Sequence, residues 1–90
     1  MAEAAGLLAR LEALPVGASE GIYEGRRWSA ALERSADGKR WKLYAEELGG
    51  NDHVSFNLYL TEGSGPLLKP CEMPAEKVIR FVEGYRPDGR

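Results

Sequence analysis

The sequence has one cysteine and one histidine in 90 residues, and it has no apolar run long enough to span a bilayer. One cysteine excludes an intrachain disulfide, and it favours a reducing compartment over a secreted scaffold. The N-terminus, Met-Ala-Glu-Ala-Ala, has an acid where a signal peptide carries basic residues. We therefore expect a cytoplasmic protein that does not contact membranes.

The chain also has little net charge, because 12 Lys and Arg against 14 Asp and Glu leave −2. This balance argues against a strongly electrostatic partner such as bulk duplex nucleic acid. Residues 21–45 differ from the rest, since six basic residues against three acidic ones leave this segment at +3. Hydrophobic content of 43% is ordinary for a globular protein, and we expect one domain over residues 1–90.

Apolar residues at helical spacing predict a helix at each end of the chain. The first covers residues 2–13 and ends ahead of Pro15. The second covers residues 74–84 and has Pro74 in its first turn. We expect the last residues, 86–90, to form a frayed polar tail.

Between the helices the apolar period changes to two, which predicts an antiparallel meander of three to four strands. The strands are expected at about residues 21–34, 39–48, 53–61 and 67–69, the last one at the edge of the sheet. A sheet with one apolar face buries that face under other elements. The predicted class is therefore α+β, with both helices packed on one face and the other face open.

Two turn signals predict the register of the central strands. A two-residue turn at 37–38, Asp-Gly, places Leu32 opposite Leu43. A four-residue turn at 49–52, Gly-Gly-Asn-Asp, places Leu43 opposite Leu58. All three leucines then lie on the inner face, since directly opposed residues share a face.

The open face is the main candidate for a binding surface. In the predicted register Lys42 lies opposite Tyr59, and Tyr44 lies opposite Asn57. Tyrosines beside basic and amide side chains can stack the bases of single-stranded nucleic acid, although the same residue types are common on any solvated strand face. A protein partner on this face and a homodimer through a strand edge are the alternatives. The candidate binding residues are Arg27, Arg40, Lys42, Tyr44, Asn57 and Tyr59.

Cys71 and His53 are the candidate catalytic residues. Cys71 lies just ahead of the second predicted helix. The unpaired amides of a helix start and the charge of Lys69 can lower the pKa of a thiol at this position and make it reactive. Cysteine can equally be a small buried apolar residue. His53 can complete a dyad with Cys71 or be an ordinary turn residue. No second ligand lies at metal spacing, so we expect no metal and no cofactor. A small non-enzymatic binding module is the leading prediction, and thiol chemistry at Cys71 is the alternative.

Two segments carry a resemblance to known proteins, Lys42–Gly50 and Leu68–Pro74. Through them the chain is similar, from about Gly21 to Tyr85, to a family of short bacterial proteins of unknown role, some described as peptide methionine sulfoxide reductases. The resemblance implies redox chemistry at Cys71. The chain has no Gly-Cys-Phe-Trp segment like that of the larger reductases, and it has no second cysteine to resolve a sulfenic acid.

The predicted order of helix, three strands and helix also resembles the double-stranded-RNA-binding domain. That family uses a lysine cluster at the start of its second helix. The matching segment here, Met73–Lys77, has one lysine and one acid. This resemblance therefore implies a topology and no binding residues.

Overall fold

The computed structural model describes residues 2–63 and 65–89, so Met1, Ser64 and Arg90 lie outside the described part of the predicted domain. The elements in chain order are α1 (Ala2–Glu12), β1 (Gly17–Tyr23), β2 (Arg26–Arg34), β3 (Arg40–Glu47), β4 (His53–Thr61), β5 (Gly65–Pro70), α2 (Ala75–Gly84) and β6 (Arg86–Pro87). The strands form one antiparallel sheet in the order β5-β4-β3-β2-β1-β6. The predicted α+β class is confirmed, with six strands in the described chain rather than three or four. No helix in this part of the chain is long and apolar enough to cross a membrane.

The core lies between the helices and one face of the sheet. In β3, buried residues alternate with exposed ones, as expected for a strand with one covered face. The helices contribute apolar side chains to the same buried cluster. Each large apolar side chain buried in this way stabilises the fold by about 1.5–3 kcal/mol. The largest fully buried side chains are Phe56, Phe81, Leu7, Leu11, Leu43, Leu58, Val54, Val78 and Val82.

The register of the central strands is partly the predicted one. Leu32 lies opposite Leu43 as expected. Leu43, however, lies opposite Phe56 and not Leu58, so the predicted register of β3 with β4 is wrong by two residues. The turn closes one residue earlier than predicted, over 48–51. A shift of two residues keeps every side chain on its own face, so the burial pattern is unchanged.

The predicted first strand, 21–34, is two strands joined by a tight turn. Glu24 and Gly25 have φ values of 51° and 78°. Positive φ at two successive positions is the requirement of a type I′ hairpin turn. The sequence signal is weak because asparagine or aspartate usually precedes the glycine in such turns. The resulting strand β1 begins at Gly17, ahead of the predicted start.

The end of the chain is a strand and not the predicted frayed tail. β6 pairs with β1 at Gly21 and Ile22. Beyond it, the Arg27 guanidinium donates two hydrogen bonds to the Asp88 carboxylate, at 2.9 and 2.7 Å. A glycine is needed at position 21, because a Cβ there would overlap the backbone of β6. Residues 86–89 are therefore part of the sheet and its edge contacts.

Candidate functional site

Four of the predicted binding residues lie together at one end of the open face. Arg40 lies opposite Tyr59, and the next outward pair is Lys42 opposite Asn57. The predicted partners, Lys42 with Tyr59, are wrong by the same two-residue shift in register. The four residues nevertheless line one cavity of about 260 Å³, which we call the basic cavity. Its full lining is Glu33, Arg34, Ser35, Arg40, Trp41, Lys42, Asn57 and Tyr59.

The basic cavity has an excess of positive charge. Arg34, Arg40 and Lys42 line it together with a single acid, Glu33. Among the side chains that the structure describes, those of residues 6–63 and 65–89, none of these three cations forms an ion pair. Glu33 lies opposite Lys42 in the β2–β3 ladder, but their charged groups are too far apart to pair. The cavity therefore has cationic donors available to an anion.

Arg34, at the last position of β2, lies directly opposite the buried Trp41, and its side chain packs on that ring. Its guanidinium carbon lies 5.4 Å from the centroid of the Trp41 ring. Such a cation–π contact positions the guanidinium while leaving its hydrogen-bond donors accessible. The guanidinium of Arg34 is therefore directed to the covered face, and the cationic groups on the open face of the cavity are those of Arg40 and Lys42.

An exposed apolar surface lies beside the cations. Tyr59 lies opposite Leu67 on β5, and the two residues are 36% and 45% exposed. Lys69 lies opposite Asn57 and adds a positive charge at the same edge of the face. Sequence reasoning missed Arg34, Leu67 and Lys69, although the positive segment 21–45 was a signal for the first of them. The structure thus combines aromatic, apolar and cationic groups in one place.

Tyr44 lies outside the basic cavity. It lies opposite Ser55 and not the predicted Asn57. It is four positions from Arg40 along β3, a distance of about 13 Å at about 3.3 Å per residue. Its hydroxyl donates to Glu46 at 3.2 Å, which raises the pKa of the Tyr44 phenol. Its ring stacks with the imidazole of His53 at a centroid distance of 6.4 Å. The two tyrosines therefore do not form one continuous platform.

Arg27 lies at the opposite end of the open face from the basic cavity. Besides its two bonds to Asp88, its guanidinium donates to Glu20 at 3.3 Å. The hydrogen bonds, those with Asp88 first, raise the pKa of Arg27, and the same bonds lower the pKa of Asp88. Since this guanidinium is already paired with two carboxylates, we leave Arg27 out of the candidate site.

Cys71 and His53 are not joined as a catalytic pair. Cys71 is exposed, and its amide donates to the Ser55 carbonyl at 3.0 Å. α2 begins only at Ala75, so the thiol does not lie in the first turn of that helix. The described hydrogen bonds include none between the two side chains, and the imidazole stacks on Tyr44. No group of three or more His, Cys, Asp or Glu among the described residues could hold a metal ion.

The outer edge of β5 is poorly suited to pairing with a second copy of the chain. The amide of Cys71 points to Ser55 on β4, so alternation directs the backbone groups of residues 66, 68 and 70 away from the sheet. Pro66 and Pro70 have no N–H to donate. Among residues 65–70, Leu68 is then the one outward donor, so strand addition at β5 would form few hydrogen bonds, and the homodimer through a strand edge stays a prediction.

A second cavity, of about 280 Å³, lies beside α2 and contains none of the predicted site residues. Its charges are mixed, and Lys77 donates to the Asp52 carboxylate, which lowers the pKa of Asp52. It offers no comparable excess of one charge. Its lining is Tyr23, Glu24, Asp52, Pro74, Glu76, Lys77 and Arg80.

The described chain is thus a small α+β protein with a one-sided antiparallel sheet and a basic cavity on its open face. Comparison with protein-family models, curated proteins and solved structures found no match. The resemblances to the short bacterial family and to the double-stranded-RNA-binding domain therefore stay predictions. Five strands separate the two helices here, two more than in the predicted order.

Proposed function

We propose that this protein is a non-enzymatic module that binds single-stranded nucleic acid at the basic cavity. The observation that carries the proposal is the pair of cations without an ion-pair partner, Arg40 and Lys42, beside the exposed ring of Tyr59. Cations that follow a phosphate backbone, with an aromatic ring that stacks a base, are the two elements of single-strand recognition.

Each group in the cavity has a role in this proposal. Arg40 and Lys42 neutralise phosphate, Tyr59 stacks a base, and the amide of Asn57 can donate to and accept from a base edge. Leu67 extends the apolar surface next to the ring. A duplex hides its base faces inside the stack, so only an unpaired base can use Tyr59 in this way.

The size of the cavity is consistent with one nucleotide at a time. Its volume of about 260 Å³ is slightly below the range of about 300–1,000 Å³ found for pockets that hold drug-sized ligands. A longer strand would therefore continue beyond the cavity toward Leu67 and Lys69 on β5, and not along β3 toward Tyr44. A cavity of this size contacts few phosphates of the nucleic-acid backbone. Few positive charges are then needed to neutralise them, which agrees with the low net charge of the chain.

Fluorescence anisotropy with a labelled single-stranded 12-mer of random sequence, at low salt, tests the proposal. Tyr59→Ala should weaken binding by about 1–3 kcal/mol, the usual contribution of one stacked base. Tyr44→Ala is the matched control, because Tyr44 is exposed on the same face but lies outside the cavity, and it should change the affinity little. Lys42→Gln should reduce the slope of log K against log salt by about 0.7.

Two results would contradict the proposal. One is equal loss of affinity in the two tyrosine variants, which would mean that the cavity is not the binding site. The other is absence of any binding at low salt. In that case a protein partner on the open face, thiol chemistry at Cys71 and a homodimer stay as the predictions.

A further inference from the structure

We infer that the open face of the sheet is the contact surface of a symmetric homodimer, in which two copies of the chain pack face to face with their β3 strands antiparallel. The dimer is independent of the proposed function, and it uses the face of the sheet rather than a strand edge. Opposite charges lie on either side of an uncharged middle, and a two-fold axis brings those charges together.

The middle of the open face is a row of uncharged residues that crosses four strands. Directly opposed residues in the row are Ala18 on β1, Ala31 on β2, Tyr44 on β3 and Ser55 on β4. Tyr44 is 46% exposed, and both alanines are exposed. Alanine is depleted in strands, so β propensity does not account for two exposed alanines side by side. The row resembles the centre of a protein–protein interface in its lack of charge and in its exposed tyrosine.

Opposite charges lie on either side of this middle row. In β3, Lys42 is two positions before Tyr44 and Glu46 is two positions after it, and both are exposed. Neither forms an ion pair among the side chains of residues 6–63 and 65–89. The Tyr44 hydroxyl donates to Glu46 at 3.2 Å, which holds the carboxylate beside the ring. β3 thus presents a cation and an anion at equal distances of about 7 Å from the middle row.

A two-fold axis along the middle row brings these charges together. Such an axis turns the second copy end for end, so Lys42 of each copy faces Glu46 of the other and two intermolecular ion pairs form. An axis along the strands would instead place Lys42 against Lys42 and Glu46 against Glu46, and like charges across an interface are unfavourable. The charges of β3 therefore select the antiparallel arrangement.

The other charged residues of β2 and β3 near the middle row meet no like charge in this arrangement. Glu33 and Ser29 lie at equal distances on either side of Ala31, so each faces the other across the axis. Arg40 lies as far before the middle row as Leu48 lies after it, so these two residues also face each other. Leu48 is 41% exposed, and the aliphatic part of an arginine side chain can cover such a group.

The face is large enough for a weak dimer. It measures about 24 Å across its six strands and about 26 Å along β3 from Arg40 to Leu48, at about 4.8 Å between strands and about 3.3 Å per residue. Its plane area of about 600 Å² is below the roughly 800 Å² that a stable interface buries on each partner, so we expect dimers at concentrations on the order of 100 μM. The face also contains the basic cavity, so a dimer and a bound single strand exclude each other.

Sedimentation equilibrium measures the dimer against the 9.9 kDa monomer. The experiment needs no nucleic acid, so its outcome does not depend on the proposed function. The wild-type protein should dimerise as its concentration rises, and added salt should weaken the dimer because salt screens the ion pairs. A protein that stays monomeric at about 1 mM overturns the inference.

Exchange of the two charges tests the arrangement of the copies. Lys42→Glu and Glu46→Lys should each weaken the dimer by about 10-fold, because both ion pairs become contacts between like charges. The double variant, with both substitutions, should restore the dimer. If the double variant is as weak as the single variants, or if none of the three differs from the wild type, the dimer uses another surface and the inference is overturned.

A further variant keeps the test decisive if a charge reversal disturbs the fold, since Lys42 also lies opposite Glu33 within one chain. Ala31→Lys puts a charged side chain at the uncharged centre of the face, and it should abolish dimerisation. Ala13→Lys is the matched control, because Ala13 is an exposed alanine just after α1 and lies away from the open face. Equal dimerisation of the two alanine variants would overturn the inference.

Discussion

Replacing Gly21 by alanine should detach β6 from the sheet. A Cβ at this position would overlap the backbone of Arg86 and Pro87 in β6. The obstacle is main chain, so no side-chain rotation can relieve it. Either β1 or β6 must move, and β6, with only two residues, is the weaker partner.

The expected loss follows from what holds β6. Backbone hydrogen bonds between β1 and the last residues each contribute about 0.5–1.5 kcal/mol net. The amide of Asp88 adds one more, to the carbonyl of Glu20 at 2.8 Å. Released residues regain about 1–2 kcal/mol each of conformational entropy, which offsets much of this loss. We therefore expect Gly21→Ala to lower the free energy of unfolding by about 1–3 kcal/mol, less than the 2–5 kcal/mol of a large core truncation.

Urea unfolding followed by tryptophan fluorescence measures this loss. Trp28 lies opposite Gly21 and is buried, so its emission reports on the affected region. Gly6→Ala is the matched control, because an added Cβ at this exposed position in α1 meets nothing within 4 Å and should stabilise the helix by up to about 1 kcal/mol. Unchanged stability of Gly21→Ala would refute the view that β6 is held against β1.

Two further predictions concern Asp52 and Cys71. The hydrogen bond from Lys77 lowers the pKa of the Asp52 carboxyl below its ordinary value of 3.8. The ionised carboxylate therefore stabilises the folded protein above pH 3.8, and this stabilisation is lost as the pH falls through the lower pKa of the folded state. Asp52→Asn should therefore lower the urea midpoint at pH 6 but not at pH 2, and an equal effect at both would contradict this. Cys71→Ser should change the free energy of unfolding by less than about 0.5 kcal/mol. Iodoacetamide should alkylate the exposed thiol of the wild-type protein without denaturant. A thiol that reacts only in denaturant would contradict the exposed position of Cys71.

The register of β2 with β3 could be predicted from the sequence, and that of β3 with β4 could not. The Asp37-Gly38 signal gives the right pairing, although β2 ends at Arg34 and β3 begins at Arg40, so the loop is longer than the predicted two residues and only Gly38 has a positive φ, 74°. In the other hairpin, Gly49 to Asp52 are all turn formers, and loops at 48–51 or 49–52 bury the same faces. The structure has the loop at 48–51, with Gly49 at a φ of 80°. The burial pattern cannot decide between the two loops, because it is the same for both.

The candidate site could be predicted where it depends on strand alternation alone. Arg40, Lys42, Asn57 and Tyr59 face outward in either register, so an error of two residues did not separate them. Arg34 was missed because alternation assigns it to the covered face. The structure keeps it on that face, at the last position of β2 and over the ring of Trp41, so Arg34 reaches the cavity only at its margin.

The division of the basic residues links the fold to the proposed function. Arg26 and Arg27 are paired with Glu47 and Asp88 at the end of the sheet that lies away from the basic cavity, where they join neighbouring segments. The cations of the basic cavity have no such partner, and like charges held close together repel each other and destabilise the folded state. A phosphate bound among them would relieve that repulsion. Binding and folding are therefore linked, and a single strand that occupies the cavity should raise the free energy of unfolding by RT ln(1 + [L]/Kd), where [L] is its free concentration.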